Sequence, residues 1–224
     1  MINLEQKEFN ISAVNEHHVA CVLLLDTSGS MSNNGAINKL NEGVRKFKEQ
    51  TMLDEIAQKC VDIAIVEFNT DAHIVQDFIP LAELEVPVLK AGGSTSLGKG
   101  LEYAMELVEK RKARYKEIGV PYYRSWIFII SDGEPTDDYT PAAVKAREMA
   151  EKNKFVCWAV GVPGYSKKAL QKVTDRLFEL TDINFPTIFE WLSNSLVKVS
   201  NSKGMAVNYP DLPDNGRVIP KDWD

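Results

Sequence analysis

The sequence predicts an α/β fold: a mostly parallel sheet covered by helices on both faces, with one antiparallel hairpin at its edge. Three observations carry this. Short apolar runs recur along the chain and end at aspartate, glycine or turn residues. Between most of them lie longer stretches whose apolar residues return at helical spacing, the alternation that builds parallel sheets. At one point only a three-residue turn, Asn69-Thr70-Asp71, separates two runs, which is too short for a crossover and therefore makes a hairpin.

Each element can be placed in order. Residues 1–17 are polar with scattered apolar positions and suit an arm or a short edge strand. Val19 to Leu25 is unbroken apolar text ending at Asp26, as expected of a strand buried on both faces. Ile37, Leu40, Val44 and Phe47 mark a helix over about 36–51, ending there or running on toward Gln58. Val61 to Phe68 is the second strand, and Ala72 to Phe78 its hairpin partner. Leu97, Leu101, Ala104, Met105 and Val108 line a long helix that Gly119 and Pro121 stop. Trp126 to Ile130 is a buried strand, followed by a helix opened by Thr140-Pro141 and running to about Lys152. Phe155 to Val160 is the next strand, closed by Gly161. Ser166 can cap a short helix with Leu170 and Val173, and Leu177 to Leu180 is a last short strand. Ile188, Leu192, Leu196 and Val199 form one face of a final helix. The remaining 201–224 stretch is a tail without periodicity, lying extended over the surface or disordered, with Tyr209, Ile219 and Trp223 available for docking.

Composition narrows the function. The chain has 224 residues, 44% hydrophobic and 26% charged, enough to bury a core without disulfides or structural zinc. A formal net charge of -6 and the lack of a Lys/Arg-rich stripe exclude nucleic acid as the expected partner. Cys21, Cys60 and Cys157 have no C-x-x-C spacing and read as small buried hydrophobes in a reducing compartment. The first twenty residues contain no apolar core of a signal peptide, and no run is long enough to span a bilayer, so cytoplasm is the expected compartment. His17, His18 and His73 lack ligand spacing and suit surface or edge positions; Lys110 to Lys116 reads as a solvated basic helix face.

The chemistry concentrates at strand ends. Asp26-Thr27-Ser28-Gly29-Ser30 follows the first buried strand, where open α/β sheets bind ligands. Asp, Ser and Ser at alternate positions place three hard oxygens in one loop. Taken alone, that pattern serves equally well as helix capping. Gly92-Gly93-Ser94-Thr95 brings a hydroxyl to the start of the long helix, and Asp132 ends another buried strand as Asp26 does. Together the three segments favour an oxygen-only site for Mg²⁺ or Mn²⁺, with Ca²⁺ less suited. Two carboxylates against three neutral hydroxyls would barely neutralise such a cation, leaving it attractive to an outside carboxylate. Ser131 serves the loop as a cap or turn, and Thr136, Asp137 and Asp138 read as solvated turn residues leading to Thr140. Glu67 and Asp71, near the sheet edge, read as structural.

These residues resemble the metal-ion-dependent adhesion site of von Willebrand factor A domains, over roughly residues 18–200. Leu25 to Met31, Gly93 to Gly98, Ser131 to Asp138 and Phe189 to Ser193 are similar to the bacterial tellurium-resistance-type (TerY-like) intracellular branch. The resemblance implies a six-stranded, doubly wound (Rossmann-like) sheet with one antiparallel edge strand. It implies Asp26, Ser28, Ser30, Thr95 and Asp132 as the metal shell, directly or through water, completed by a partner's Glu or Asp. It also implies a non-enzymatic binding module of a stress-response system, with a kinase or phosphatase of that system as partner. Two other function classes stand against it: a metal-assisted hydrolase, for which the three loops offer no His or Lys base, and a structural scaffold with a vestigial site.

Overall fold

The structure, a computed structural model, describes residue 11 and residues 13–220. Strand β1 (Val19–Asp26) is buried along its whole length and lies in the interior of the sheet. Parallel neighbours flank it: β2 (Val61–Phe68) on one side and β4 (Ser125–Ser131) on the other. Beyond β2 lies the antiparallel hairpin partner β3 (Ala72–Pro80); beyond β4 lie β5 (Phe155–Gly161) and β6 (Leu177–Leu180), both parallel.

A seventh strand, β7 (Gly216–Val218), comes from the tail and pairs antiparallel with β6. The sheet order is therefore β3-β2-β1-β4-β5-β6-β7, with an antiparallel strand at each edge. This corrects the expected six strands with one antiparallel edge. A three-residue strand is too short to show alternation in the sequence, and its pairing depends on β6 already being in place.

Alternation along β1 explains the two helical layers. Val19, Cys21, Leu23 and Leu25 face α1 (Ala36–Thr51) and α6 (Phe185–Ser200). Ala20, Val22 and Leu24 face α3 (Leu97–Ile118), α4 (Thr140–Glu151) and α5 (Lys167–Val173). Period-2 side chains meet 3.6-period stripes on both faces, so β1 shows no polar side. The α1–α6 pair is close: a Cβ at Gly43 would sit 2.3 Å from the Phe189 ring.

Helix α1 stops at Thr51 rather than continuing to Gln58; a separate single turn, α2 (Ala57–Cys60), leads into β2. Ser166 caps α5 as expected, its side chain accepting from the Ala169 N–H. The tail crosses α6, where the Trp191 indole donates to the Pro210 carbonyl (2.9 Å) and Tyr209 packs edge-on against Trp126 and Trp158. Ile219 is buried at the far edge; Trp223 and most of the expected 1–17 arm lie outside the described residues. All three cysteines are free and buried. Among the described residues, no helix is long and apolar enough to cross a membrane.

Candidate functional site at the strand carboxyl ends

Asp26 is the last residue of β1 and Ser131 the last of β4; Leu25 lies opposite Ile130, so the next position sets Asp26 beside Ser131. The Ser131 hydroxyl donates to Asp26 Oδ2 at 2.6 Å, and the Ser28 N–H donates to Asp26 Oδ1 at 2.9 Å. Ser28 Oγ and Ser30 Oγ are 2.9 Å apart, and Ser30 Oγ donates to Asp132 Oδ1 at 2.7 Å. A continuous run of oxygens thus joins the β1 loop to the β4 loop. Ser28 precedes a 3₁₀ segment (Gly29–Gly35) without making a capping hydrogen bond, so its hydroxyl serves the site instead of the helix.

Thr95 reaches the same place from the loop before α3. A Cβ added at Gly133 would stand 3.4 Å from Ser30 Oγ and 3.5 Å from Thr95 Oγ1, which puts both hydroxyls around one point beside Asp132. The loop is held there by backbone bonds: Gly29 N–H to Gly93 O and Gly92 N–H to Thr27 O, both 2.9 Å. Gly93 has φ +76°, and a Cβ there would meet Thr70 Oγ1 at 2.2 Å, so only glycine fits. Thr136 locks the other side. Its N–H donates to Thr95 O (2.8 Å) and its hydroxyl accepts from the Thr95 N–H (3.1 Å).

All five expected residues, Asp26, Ser28, Ser30, Thr95 and Asp132, therefore meet at one rim. The structure adds two further members that the sequence shows only as loop residues. Ser131 belongs to the site because β1 and β4 are adjacent, and Thr136 because it positions Thr95. Serine immediately before Asp132, on a strand next to β1, was the available signal. Glu67 and Asp71 stay structural: Thr27 Oγ1 approaches Glu67 at 3.5 Å, and Asp71 pairs with Lys99 at 2.9 Å.

The electrostatics of this rim are unbalanced. Asp26 is 0% exposed, and among the described residues no Lys, Arg or His pairs with it or with Asp132. Burial pushes the Asp26 carboxyl up to about 6, against the hydrogen bonds from Ser131 and Ser28 that favour the anion; the neighbouring Asp132 charge raises it further. Burial raises Asp132 as well, and the Ser30 hydrogen bond opposes it. A buried and a half-buried carboxylate side by side, surrounded by hydroxyl oxygens, fit a hard divalent cation, which would supply the charge the rim lacks. Among the described residues no three His, Cys, Asp or Glu side chains converge for a metal, so any such ion would be held by two carboxylates and hydroxyls.

The fold and the site define a class: an open doubly wound α/β domain with an oxygen-lined rim at the carboxyl ends of its central strands. The chain belongs to the von Willebrand factor type A domain family, whose model matches residues 21–190. Domains of this family often hold a metal at such a rim, mediate protein interactions and are typically not enzymes. Solved structures share the fold at low identity. A von Willebrand factor type A protein from Catenulispora acidiphila is 18% identical, with TM-score 0.63, covering 85% of this chain and 48% of its own. Proximal thread matrix protein 1 from the mussel byssus, solved with a zinc-occupied MIDAS motif, is 18% identical (TM-score 0.59; 81% and 47% covered). The pilus adhesin SpaC of Lactobacillus rhamnosus GG is 14% identical (TM-score 0.68; 86% and 32% covered). The chain thus spans less than half the length of these proteins. No curated protein matches it.

Proposed function

We propose that this domain is a protein-binding module that holds Mg²⁺ or Mn²⁺ at Asp26, Ser28, Ser30, Thr95 and Asp132 and grips an exposed Asp or Glu of a partner protein. The observation that carries this reading is a fully buried Asp26 that, among the described residues, no cationic side chain neutralises. Hydroxyl and carboxylate oxygens favour Mg²⁺ or Mn²⁺ over zinc, although the mussel protein's motif was solved with zinc. A cation held by only two carboxylates keeps positive character and an affinity for one more.

The strings similar to the TerY-like branch support a partner within a stress-response system, such as a kinase or phosphatase. A hydrolytic reading is disfavoured because no His or Lys stands at the site's loops to act as a base.

Affinity capture from a cell extract, in Mg²⁺ and in EDTA, tests the proposal. A partner retained by the wild type in Mg²⁺ should be lost in EDTA and with Asp26→Ala/Ser28→Ala. Retention in all conditions would support a scaffold with a vestigial site. For the metal alone, a site with a dissociation constant of about 1 mM adds roughly 1.4 kcal/mol at about 10 mM Mg²⁺. That is a rise of about 3–5 °C in Tm.

A further inference from the structure

At the opposite end of the sheet lies a cleft of about 200 Å³, lined by three arginines from three different elements. Arg124 precedes β4, Arg147 lies in the second half of α4, and Arg176 stands just before β6. The span of β4 separates this cleft from the Asp26 rim by about 20 Å.

Two of the arginines are held in place. Arg147 donates Nε to the Lys172 carbonyl (3.2 Å), Nη1 to Asp175 (2.7 Å) and Nη2 to the Gln171 carbonyl. The Arg176 guanidinium lies over the Trp158 ring, 5.0 Å from its centroid. Neither Arg124 nor Arg176 makes an ion pair among the described residues. The lining carboxylates are Glu151 and Asp175, and Arg147 already engages Asp175. The cleft is therefore net positive on a chain of net charge -6. Its field reaches the floor: burial raises the Cys157 thiol, while Arg176 and Arg147 both act to lower it.

Surface arginines ordinarily find carboxylates, and this chain has 32 Asp and Glu to offer. Among the described residues two arginines without such a partner line this concave surface, with a third locked as its wall, and guanidinium groups bind tetrahedral oxyanions bidentately. We propose that this cleft binds a phosphate group, free or esterified, independently of the metal site.

Thermal unfolding of the full chain in EDTA, with inorganic phosphate or phosphoserine titrated against NaCl of equal ionic strength, tests this. Phosphate at about tenfold its dissociation constant should raise Tm by about 3–5 °C beyond the salt control. Arg124→Gln/Arg176→Gln should weaken binding at least about tenfold, while keeping its Mg²⁺ response as evidence of folding. Asp26→Asn should leave the phosphate response intact. A response to phosphoserine equal to or stronger than that to inorganic phosphate assigns the site to esterified phosphate; a response to inorganic phosphate alone assigns it to the free ion. No shift beyond the salt control, a shift surviving in the double arginine variant, or a shift abolished by Asp26→Asn would overturn the proposal.

Discussion

Buried aspartates stand at both ends of the central strands, and they are treated in opposite ways. At the amino end, Asp62 is 0% exposed and takes the Arg111 guanidinium at 2.9 Å, His18 Nδ1 at 3.0 Å and the Tyr115 hydroxyl. Arg111 and Tyr115 are one turn apart on α3 and descend onto β2 together, with the guanidinium 5.1 Å from the Tyr115 ring centroid. At the carboxyl end, Asp26 is equally buried, and among the described residues its partners are neutral: the hydroxyl of Ser131 and the N–H and side chain of Ser28. One carboxylate carries its cation within the fold; the other, among the described residues, has none. A buried anion already paired with arginine is part of the architecture, whereas one held only by neutral donors is a place for an external cation.

Substitutions should separate the two. Asp62→Ala strands Arg111 without its counter-charge and should cost about 3–5 kcal/mol. That lowers Tm by roughly 10 °C, read by thermal or denaturant unfolding; a loss under about 1 kcal/mol would show that the network is not structural. Asp26→Asn keeps one oxygen to accept from the Ser28 N–H, turns the other position into a donor toward Ser131 Oγ, and removes the uncompensated charge. In EDTA it should be as stable as wild type or melt a few degrees higher, and it should lose the Mg²⁺-dependent rise.

The pH response sharpens the same contrast. The folded protein holds the Asp26 proton up to about 6, while the unfolded chain releases it near 3.8. Between those values the folded state binds more protons, so metal-free stability falls as pH rises through that window. Metal binding requires the carboxylate, so the Mg²⁺-induced rise should grow from pH 5 to pH 7. Melts of wild type minus Asp26→Asn, with and without Mg²⁺, read both signs. A subtraction flat with pH would break the assignment. The smallest effect belongs to Thr136→Val, which removes the acceptor of the Thr95 N–H. It should cost about 1 kcal/mol and weaken metal affinity a few-fold, measured by Mg²⁺ titration of Tm.

The amino-end network also shows where reading the chain failed. Arg111 falls within the Lys110–Lys116 run that reads as a solvated face, and His18 among histidines that suit surface or edge positions; both are buried. The missed signal is positional: Arg111 and Tyr115 extend the stripe of Leu101, Ala104 and Val108 at three- and four-residue steps. A charge on an apolar stripe reads as an error in the pattern until the residue that neutralises it, Asp62 on another element, is known. The tail failed differently. Residues 216–218 acquire their strand only from β6, and Tyr209 acquires its place only from the Trp126–Trp158–Trp191 cluster.

What the sequence determined by itself was whatever repeats locally. Unbroken apolar runs set β1, β4 and β5, a run interrupted by Asp62 and Glu67 set β2, and helical stripes set α1, α3 and α6. The strand-end oxygens Asp26, Ser28, Ser30, Thr95 and Asp132 were legible because a strand's end is visible where its apolar run stops. Only the tertiary structure decided that Ser131 lies beside Asp26, that Thr136 pins Thr95, that Arg111 neutralises Asp62 and that the tail supplies a seventh strand. Each of these depends on which elements become neighbours. Neighbour choice is settled by burying two faces of one sheet at once, a constraint that no local window of residues contains.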